Sequence, residues 1–307
     1  MSERGSPVLS IVVTIVDGGN ALRGVLDALA AQRDAPSMEV LVAWDASIPS
    51  VGAMASQYPS VRFIEMGETR TERPVASAAG QHELFDRRRS AALPHARGTL
   101  IGILEDRAWP RPDWAASMVR LHDQLPHGVI GGAIMPASTD ALAWSVWAVD
   151  YGRYALPFEA GPRPWVSDVN VCYKRRCIDA TQPIWRERYN EALVHWTLAE
   201  RGEVLYLAPD AIVDFHSRYD ALGALLVQRF HWGRLFGQVR AEHGGAAGRL
   251  RQVVAGPLLP GVLFLRHAGT QRRVGNAAQF WKSSGTVAAA LLAWSAGEVW
   301  GAVTRRP

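Results

Sequence analysis

Apolar and polar positions along the first 135 residues follow two alternating periods. Residues 8–16 (VLSIVVTIV) form a continuous β-branched run, the pattern of a strand buried on both faces. Gly18, Gly19 and Asn20 then turn the chain, and Asn20 is placed to cap a helix whose apolar stripe is Leu22, Val25, Leu26 and Leu29. Residues 39–44 and 61–66 read as two further strands, 84–96 as a helix, and 99–104 as the strand that delivers Glu105. Strands separated by helices predict an α/β fold with a mostly parallel, doubly wound sheet and helices on both faces.

The pattern then changes. Residues 136–190 are less regular and rich in Trp and Pro, with a strand expected over 168–173 and a helix over 190–201, stopped by Gly202. Two short strands are expected at 204–207 and 211–215, and beyond Tyr219 the pattern is helical to the end. The apolar run 253–265 has 13 residues and two prolines, short of the roughly 20 a crossing needs. A second run, 286–303, has 18 residues but carries Glu298. These runs predict helices lying on a membrane rather than crossing it, with buried helices of a soluble core as the alternative. The expected organisation is an α/β domain over 1–218 and a helical, basic and apolar region over 219–307.

Charge sharpens the second half of this picture. The 307 residues carry a formal net charge of +4, and Lys174 and Lys282 are the only lysines. Between Arg218 and Lys282 there are ten Arg or Lys residues against Asp220 and Glu242, interleaved with Phe, Trp and Leu. Such a segment suits an anionic surface. No zinc-finger spacing or nucleic-acid motif accompanies it, so the expected partner is an anionic membrane surface and no nucleic acid is expected. Cys172 and Cys177 are too few and too close in sequence for a disulfide framework, which fits a reducing compartment. The first apolar run is too short to span and shows no cleavage pattern, so the cytoplasmic side of a membrane is the expected location.

The most informative chemistry lies in residues 99–114. A short apolar strand ends in Glu105 and Asp106, a proline turn follows, and a helix starts at Asp113 and Trp114. Acidic side chains at the carboxyl end of a parallel strand stand where open α/β sheets bind ligands, and they are suited to hold a divalent cation against phosphate oxygens. The plainer reading is an acidic turn that caps the next helix.

The order and spacing of motifs over roughly residues 8–240 resembles a family 2 glycosyltransferase with the GT-A fold. Residues 9–16 resemble the family's first strand, whose end, including Thr14, faces the nucleotide. Residues 39–47 resemble its second strand, which usually ends in two aspartates. Asp45 matches the second, implied to hydrogen-bond the base, while Trp44 replaces the first. Arg89 falls where the family carries a basic residue facing the diphosphate, although a solvated helix face is an equal reading beside Arg87 and Arg88. The family's metal motif is Asp-x-Asp followed by a proline. Counting back from Pro110, Glu105 matches the first acid and Arg107 falls on the second. A guanidinium cannot ligate a cation. Either Asp106 supplies the missing ligand for Mg2+ or Mn2+, or Arg107 itself neutralises the diphosphate. Some relatives carry Glu-Asp-His here, and this chain looks closest to that subgroup.

The resemblance continues toward the acceptor. Residues 168–176 resemble the acceptor-side segment, with Asn170 and Arg175 as its candidates. Asn190 and Glu191 precede Gly202 at the spacing of the family's Glu-Asp pair, so Glu191 is implied as catalytic base. His216 ends a strand whose histidine can complete a metal site, displaced by one residue. Gln228 to Trp232 resembles the Gln-x-x-Arg-Trp motif of membrane-bound members, with His231 in the Arg position and Trp232 on the acceptor side. The implied activity is inverting transfer of a sugar from a nucleotide-diphosphate sugar to a hydroxyl or phosphate acceptor, membrane-proximal or lipid-linked. Two rivals stand beside it. A non-catalytic nucleotide-sugar-binding or scaffold protein would tolerate Trp44 and Arg107 at ligand positions. A nucleotidyltransferase would normally show a basic Gly-rich loop after the first strand, where this chain has Asp17-Gly18-Gly19-Asn20.

Overall fold

A computed structural model of the chain describes residues 6–75 and 77–304. The chain folds into two compact units. The first comprises Met1–Arg70, Glu83–Met135 and Leu156–His216; the second comprises Thr71–His82, Pro136–Ala155 and Ser217–Pro307. The second unit therefore takes in two segments from the middle of the chain besides its C-terminal third.

The first unit is built on one sheet. Among the described residues it has nine strands: β1 (Leu9–Thr14), β2 (Met38–Trp44), β3 (Val61–Glu65), β4 (Leu100–Glu105), β5 (Ala108–Pro110), β6 (Val129–Pro136), β7 (Gly161–Pro162), β8 (Asn170–Lys174) and β9 (Leu205–Phe215). Their order is β3-β2-β1-β4-β8-β6-β9-β5, with β7 on β9. Every residue of β1 and β4 is buried, as their unbroken apolar runs require. The helix Gly19–Ala30 buries Leu22, Val25, Leu26 and Leu29. Its N-cap is Gly18, at φ +68°, and Asn20 lies inside the first turn, so the expected Asn20 cap does not form.

The sheet is mixed rather than mostly parallel, which corrects the sequence expectation. Strands β3, β2, β1 and β4 are parallel, but β8 runs antiparallel to β4, and β6 antiparallel to β8. Apolar runs reveal strands but not their direction, and the irregular stretch before β8 reverses the chain. The two short strands expected after Gly202 are one strand, β9, because β7 pairs with its first half and β5 with its last.

This reversal positions the site. Thr14 and Glu105 are register neighbours at the carboxyl ends of β1 and β4. Leu104 pairs with Asn170 at the amino end of β8, so the residues just before Asn170 arrive at the same sheet edge as Glu105.

The second unit is helical. Its long helix Leu222–Ala255 is broken at Gly245 (φ +60°, ψ −165°) and is followed by the helices Leu259–Arg273 and Ser284–Thr304. Helix Ser284–Thr304 is the one described helix long and apolar enough to cross a membrane, and Glu298 within it is buried. That carboxylate is paired inside the protein, with Arg240 at 2.8 Å and Gln252 at 3.2 Å. Glycines bring this helix against Leu222–Ala255: a Cβ on Gly233, Gly237, Gly297 or Gly301 would stand 2.0–2.1 Å from a backbone oxygen of the facing helix. Paired glycines four residues apart on both helices are the small-residue packing common among membrane helices.

Candidate active site

Arg89 organises the sheet edge. It comes from the helix Ala78–Ala92 and is only 4% exposed. Its Nε donates to Thr14 Oγ1 at 2.9 Å, and its Nη2 donates to Glu105 Oε1 at 3.1 Å and meets Asp168 Oδ2 at 2.7 Å. Asp86, one helical turn earlier, lies 3.6 Å from Nη1. Burial opposes the charge, but Asp168, Glu105 and Asp86 together hold the guanidinium pKa above its ordinary value. Arg89 is thus a buried clamp on carboxylates rather than an open contact for a diphosphate, and the solvated-face reading is also set aside.

Glu191 begins the helix Glu191–Glu200, which Asn190 caps by accepting from the Leu193 N–H at 3.1 Å. The helix N-terminus favours a carboxylate there. Glu191 Oε1 accepts from the Asp168 backbone N–H at 2.7 Å. Burial, and then the charge of Asp168, raise the Glu191 pKa well above the usual carboxylate range, against the pull of that hydrogen bond and of Arg89. Glu105 adds to the rise, so strand tip and helix share one electrostatic site. The connected path is Glu105, Arg89, Asp168, Glu191. Asp168 is the residue that sequence reasoning passed over; the signal lay in its place just ahead of a strand adjoining β4.

Behind Glu191 runs a buried polar chain. Tyr173 Oη lies 2.8 Å from Tyr189 Oη and 2.7 Å from His195 Nε2, one turn along the same helix as Glu191. Burial pushes the His195 pKa down to about 4, so its ring is neutral.

The segment after Glu105 has two different jobs. Asp106 is fully buried, and its Oδ2 accepts three backbone N–H bonds, from Val16 at 3.1 Å, Asp17 at 2.9 Å and Gly18 at 2.7 Å. The left-handed Gly18 lets these successive N–H groups converge as an anion nest. Burial, then the neighbouring Asp17 charge, raises the Asp106 pKa to about 7. Arg107 points the other way, half-buried. Its Nη2 donates to Glu105 Oε2 at 3.2 Å, and its Nε lies 3.7 Å from Asp17 Oδ2. The guanidinium packs over the Phe215 ring at 5.3 Å.

These residues do not fit a divalent cation. Glu105 has one oxygen on Arg89 and the other on Arg107, Asp106 anchors a loop through Oδ2 and leaves only its buried Oδ1 without a hydrogen bond, and a guanidinium fills the gap between Glu105 and Asp17. Among the described residues no three His, Cys, Asp or Glu side chains converge to hold an ion. His216 adds nothing to such a set: its ring is stacked on Trp109 at 3.6 Å, and its backbone N–H donates to the Arg107 carbonyl.

The other expected residues divide. Thr14 is buried beneath Arg89. Asp45 is buried too, with Oδ1 accepting from Ser47 N–H at 2.9 Å and Oδ2 from Arg88 Nε at 2.7 Å. Burial opposes its ionisation, but Ser47 and Arg88 hold its pKa below the ordinary value. Arg88, which also donates to the Ile15 carbonyl, is a second buried arginine that the run Arg87-Arg88-Arg89 concealed. Asn170 does not face an acceptor. It is fully buried, accepting from Trp114 Nε1 and donating to the carbonyls of Ala133 and Ala211. Arg175 lies at the far end of β4, donating to the Gly98 and Ala96 carbonyls. Trp232 belongs to the second unit, where it meets His82 edge-on at 5.2 Å.

Comparison with known proteins bears on the family and the fold. The model described as glycosyl transferase family 2 matches residues 10–176. A mannosyltransferase from Pyrobaculum calidifontis, PcManGT, solved in complex with GDP-Man and Mn2+, superimposes with a TM-score of 0.56 at 16% identity, over 97% of this chain and 88% of that one. Residues 1–349 of TarS from S. aureus, in complex with UDP-GlcNAc, give a TM-score of 0.51 at 11% identity, over 94% of this chain and 90% of that one. At these identities the likeness is one of fold. No curated protein matches the chain.

Proposed function

The chain belongs to glycosyl transferase family 2, and from that premise we propose that it transfers a sugar, with inversion, from a nucleotide-diphosphate sugar to a hydroxyl or phosphate acceptor at a membrane surface. The observation that carries the reading is the path Glu105–Arg89–Asp168–Glu191, which joins a strand tip and a helix N-terminus in one charged site. Solved neighbours of the same fold are described with GDP-Man and with UDP-GlcNAc, which supports a nucleotide-sugar donor.

Glu191 is the base in this reading. It takes the proton of the acceptor hydroxyl as that oxygen attacks the anomeric carbon from the face opposite the nucleotide. A carboxylate whose pKa is raised toward the working pH is a stronger base than an ordinary one, and burial together with Asp168 supplies that rise. Asp168 and Arg89 act through Glu191 and Glu105 as positioning residues, because both are tied into the hydrogen-bond path. A leaving diphosphate gathers negative charge, and fixed positive groups at that point give the largest share of catalysis.

The membrane part of the proposal rests on the second unit. Leu250, Val254, Leu258, Val262 and Leu265 are each 60–72% exposed and recur every three or four residues, with Arg266, Arg272, Arg273 and Lys282 exposed nearby. An apolar ridge with a basic flank suits the surface of an anionic, cytoplasmic leaflet. In this reading 219–307 is the membrane-associated region and a lipid-linked acceptor is the natural partner.

The direct test incubates the protein with a panel of nucleotide sugars and membrane lipid extract and measures released nucleoside diphosphate. Release that needs one donor and Glu191 supports the reading; no release with any donor removes it.

A further inference from the structure

We propose that Arg107 is the resident cation of the donor site, so that the protein binds and activates a nucleoside diphosphate without a divalent metal. The inference rests on the nucleotide-sugar reading above and concerns the same site.

Three observations carry it. The first is occupancy of the acidic oxygens. Both oxygens of Glu105 are engaged by arginines, Oε1 by Arg89 and Oε2 by Arg107. Asp106 Oδ2 is engaged by three backbone N–H groups, which fixes the carboxyl group. Its Oδ1 is buried without a hydrogen-bond partner and is one acidic oxygen where the pair of ligands a bridging cation needs would be two. Divalent cations in such sites need carboxylate oxygens that can turn toward the ion and the substrate phosphates together.

The second is the position of the guanidinium. It lies between Glu105 and Asp17, where a cation bridging two acids would stand. An ion entering there would meet a fixed positive charge of its own sign in a half-buried site, where screening is weak.

The third is that Arg107 is held in place rather than wandering. Its carbonyl accepts from the His216 N–H at 2.8 Å, and the next residue, Ala108, opens β5 in register with Phe215. The side chain rests on the Phe215 ring and keeps 14% of its surface open to solvent. A planar fork fixed in this way is matched to two phosphate oxygens, a geometry that a lysine or a mobile arginine does not offer. Glu105 and Asp17 flank the guanidinium, and the incoming diphosphate would compete with these two carboxylates for it.

The test uses the full-length protein and two probes, UDP and GDP, titrated calorimetrically in EDTA and in Mn2+, with Mn2+ binding itself followed by electron paramagnetic resonance. The expected wild-type result is diphosphate binding of equal strength in both buffers and no protein-bound Mn2+. Arg107→Ala should weaken binding roughly 10–100-fold, the size of a lost charge-assisted hydrogen bond. Arg107→Asp, which restores an acid two residues after Glu105, should acquire Mn2+ binding and become Mn2+-dependent for UDP or GDP. Arg107→Lys, folded by thermal melt, separates charge from fork and should fall between wild type and alanine. Wild-type binding that vanishes in EDTA and returns with Mn2+ would overturn the inference while leaving the nucleotide-sugar reading intact. Absence of UDP and GDP binding in either buffer would overturn both.

Discussion

The backbone N–H of Asp168 donates to the Glu191 carboxylate at 2.7 Å, while the Asp168 side chain reaches Arg89 at 2.7 Å. One residue thereby ties the helix that bears the proposed base to the clamp that holds the strand tip. Glu191 consequently has a fixed direction, and burial, then the Asp168 charge, raises its pKa against the pull of that hydrogen bond. Direction and raised pKa are two properties a general base requires.

Removing that carboxylate should abolish turnover without abolishing binding. Glu191→Gln is expected to lower kcat by about 10²–10⁴-fold, the usual contribution of a positioned base, with donor KM little changed. The base works deprotonated, so wild-type kcat/KM should rise with pH along a limb that lies above the ordinary glutamate range. That limb should be missing from Glu191→Gln. Steady-state kinetics across pH, on a hydroxyl acceptor, checks both points.

Arg89 is expected to matter for folding as well as catalysis. Arg89→Ala leaves Glu105, Asp168 and Asp86 without their shared counter-charge, a loss worth about 3–5 kcal/mol for a broken buried pair. Arg89→Lys keeps charge but cannot reach Thr14, Glu105 and Asp168 together, and should recover stability more than kcat. Urea unfolding beside kcat measurement separates the two effects.

Much of the first unit was legible because its strands are continuous apolar runs. β1 to β4 lie within a residue or two of their expected places, and the Leu22, Val25, Leu26, Leu29 stripe is buried as its spacing implies. Direction was not legible: β8 was expected as a strand, but its antiparallel pairing to β4 is a contact some 70 residues distant in sequence. The pairing of Glu105 with Glu191 through Arg89 and Asp168 joins two positions that the motif order singled out. Burial was not legible where like residues crowd together. Three consecutive arginines hide two buried ones, and Asp168 and Asn170 sit two residues apart with opposite fates, one beside Arg89 and one inside the core.

Asp106 should make stability depend on pH. Its pKa in the folded protein is raised to about 7, so its contribution is complete below about pH 4 and is lost as pH climbs through about 7. Asp106→Asn is neutral throughout. Relative to that variant, wild type should lose roughly 2–4 kcal/mol between about pH 4 and pH 8. Melting temperatures at both ends show it; a constant difference would remove the buried-carboxyl account.

In the second unit, the glycine seam is the sensitive point. A Cβ at Gly237 would stand 2.0 Å from the Glu298 carbonyl oxygen, and neither helix backbone can yield independently. Gly237→Ala should cost about 1–3 kcal/mol as overpacking, seen as a lowered melting temperature. Gly269→Ala has open space at its Cβ and serves as the neutral control.

Membrane docking predicts a separation of functions. Leu258→Asp with Leu265→Asp removes two exposed apolar groups, each worth about 1.5–3 kcal/mol if buried in lipid. Sedimentation with phosphatidylglycerol vesicles should fall by at least about 10-fold, while turnover of a soluble acceptor analogue should persist.

The central claim is that Glu105 and Glu191 belong to one donor site. A crystal structure with a bound nucleotide sugar tests it most directly. The expected density places the diphosphate within hydrogen-bonding reach of Arg107 and turns the anomeric carbon toward Glu191. A nucleotide bound away from this edge of the sheet, with both carboxylates left in their present pairings, would contradict it.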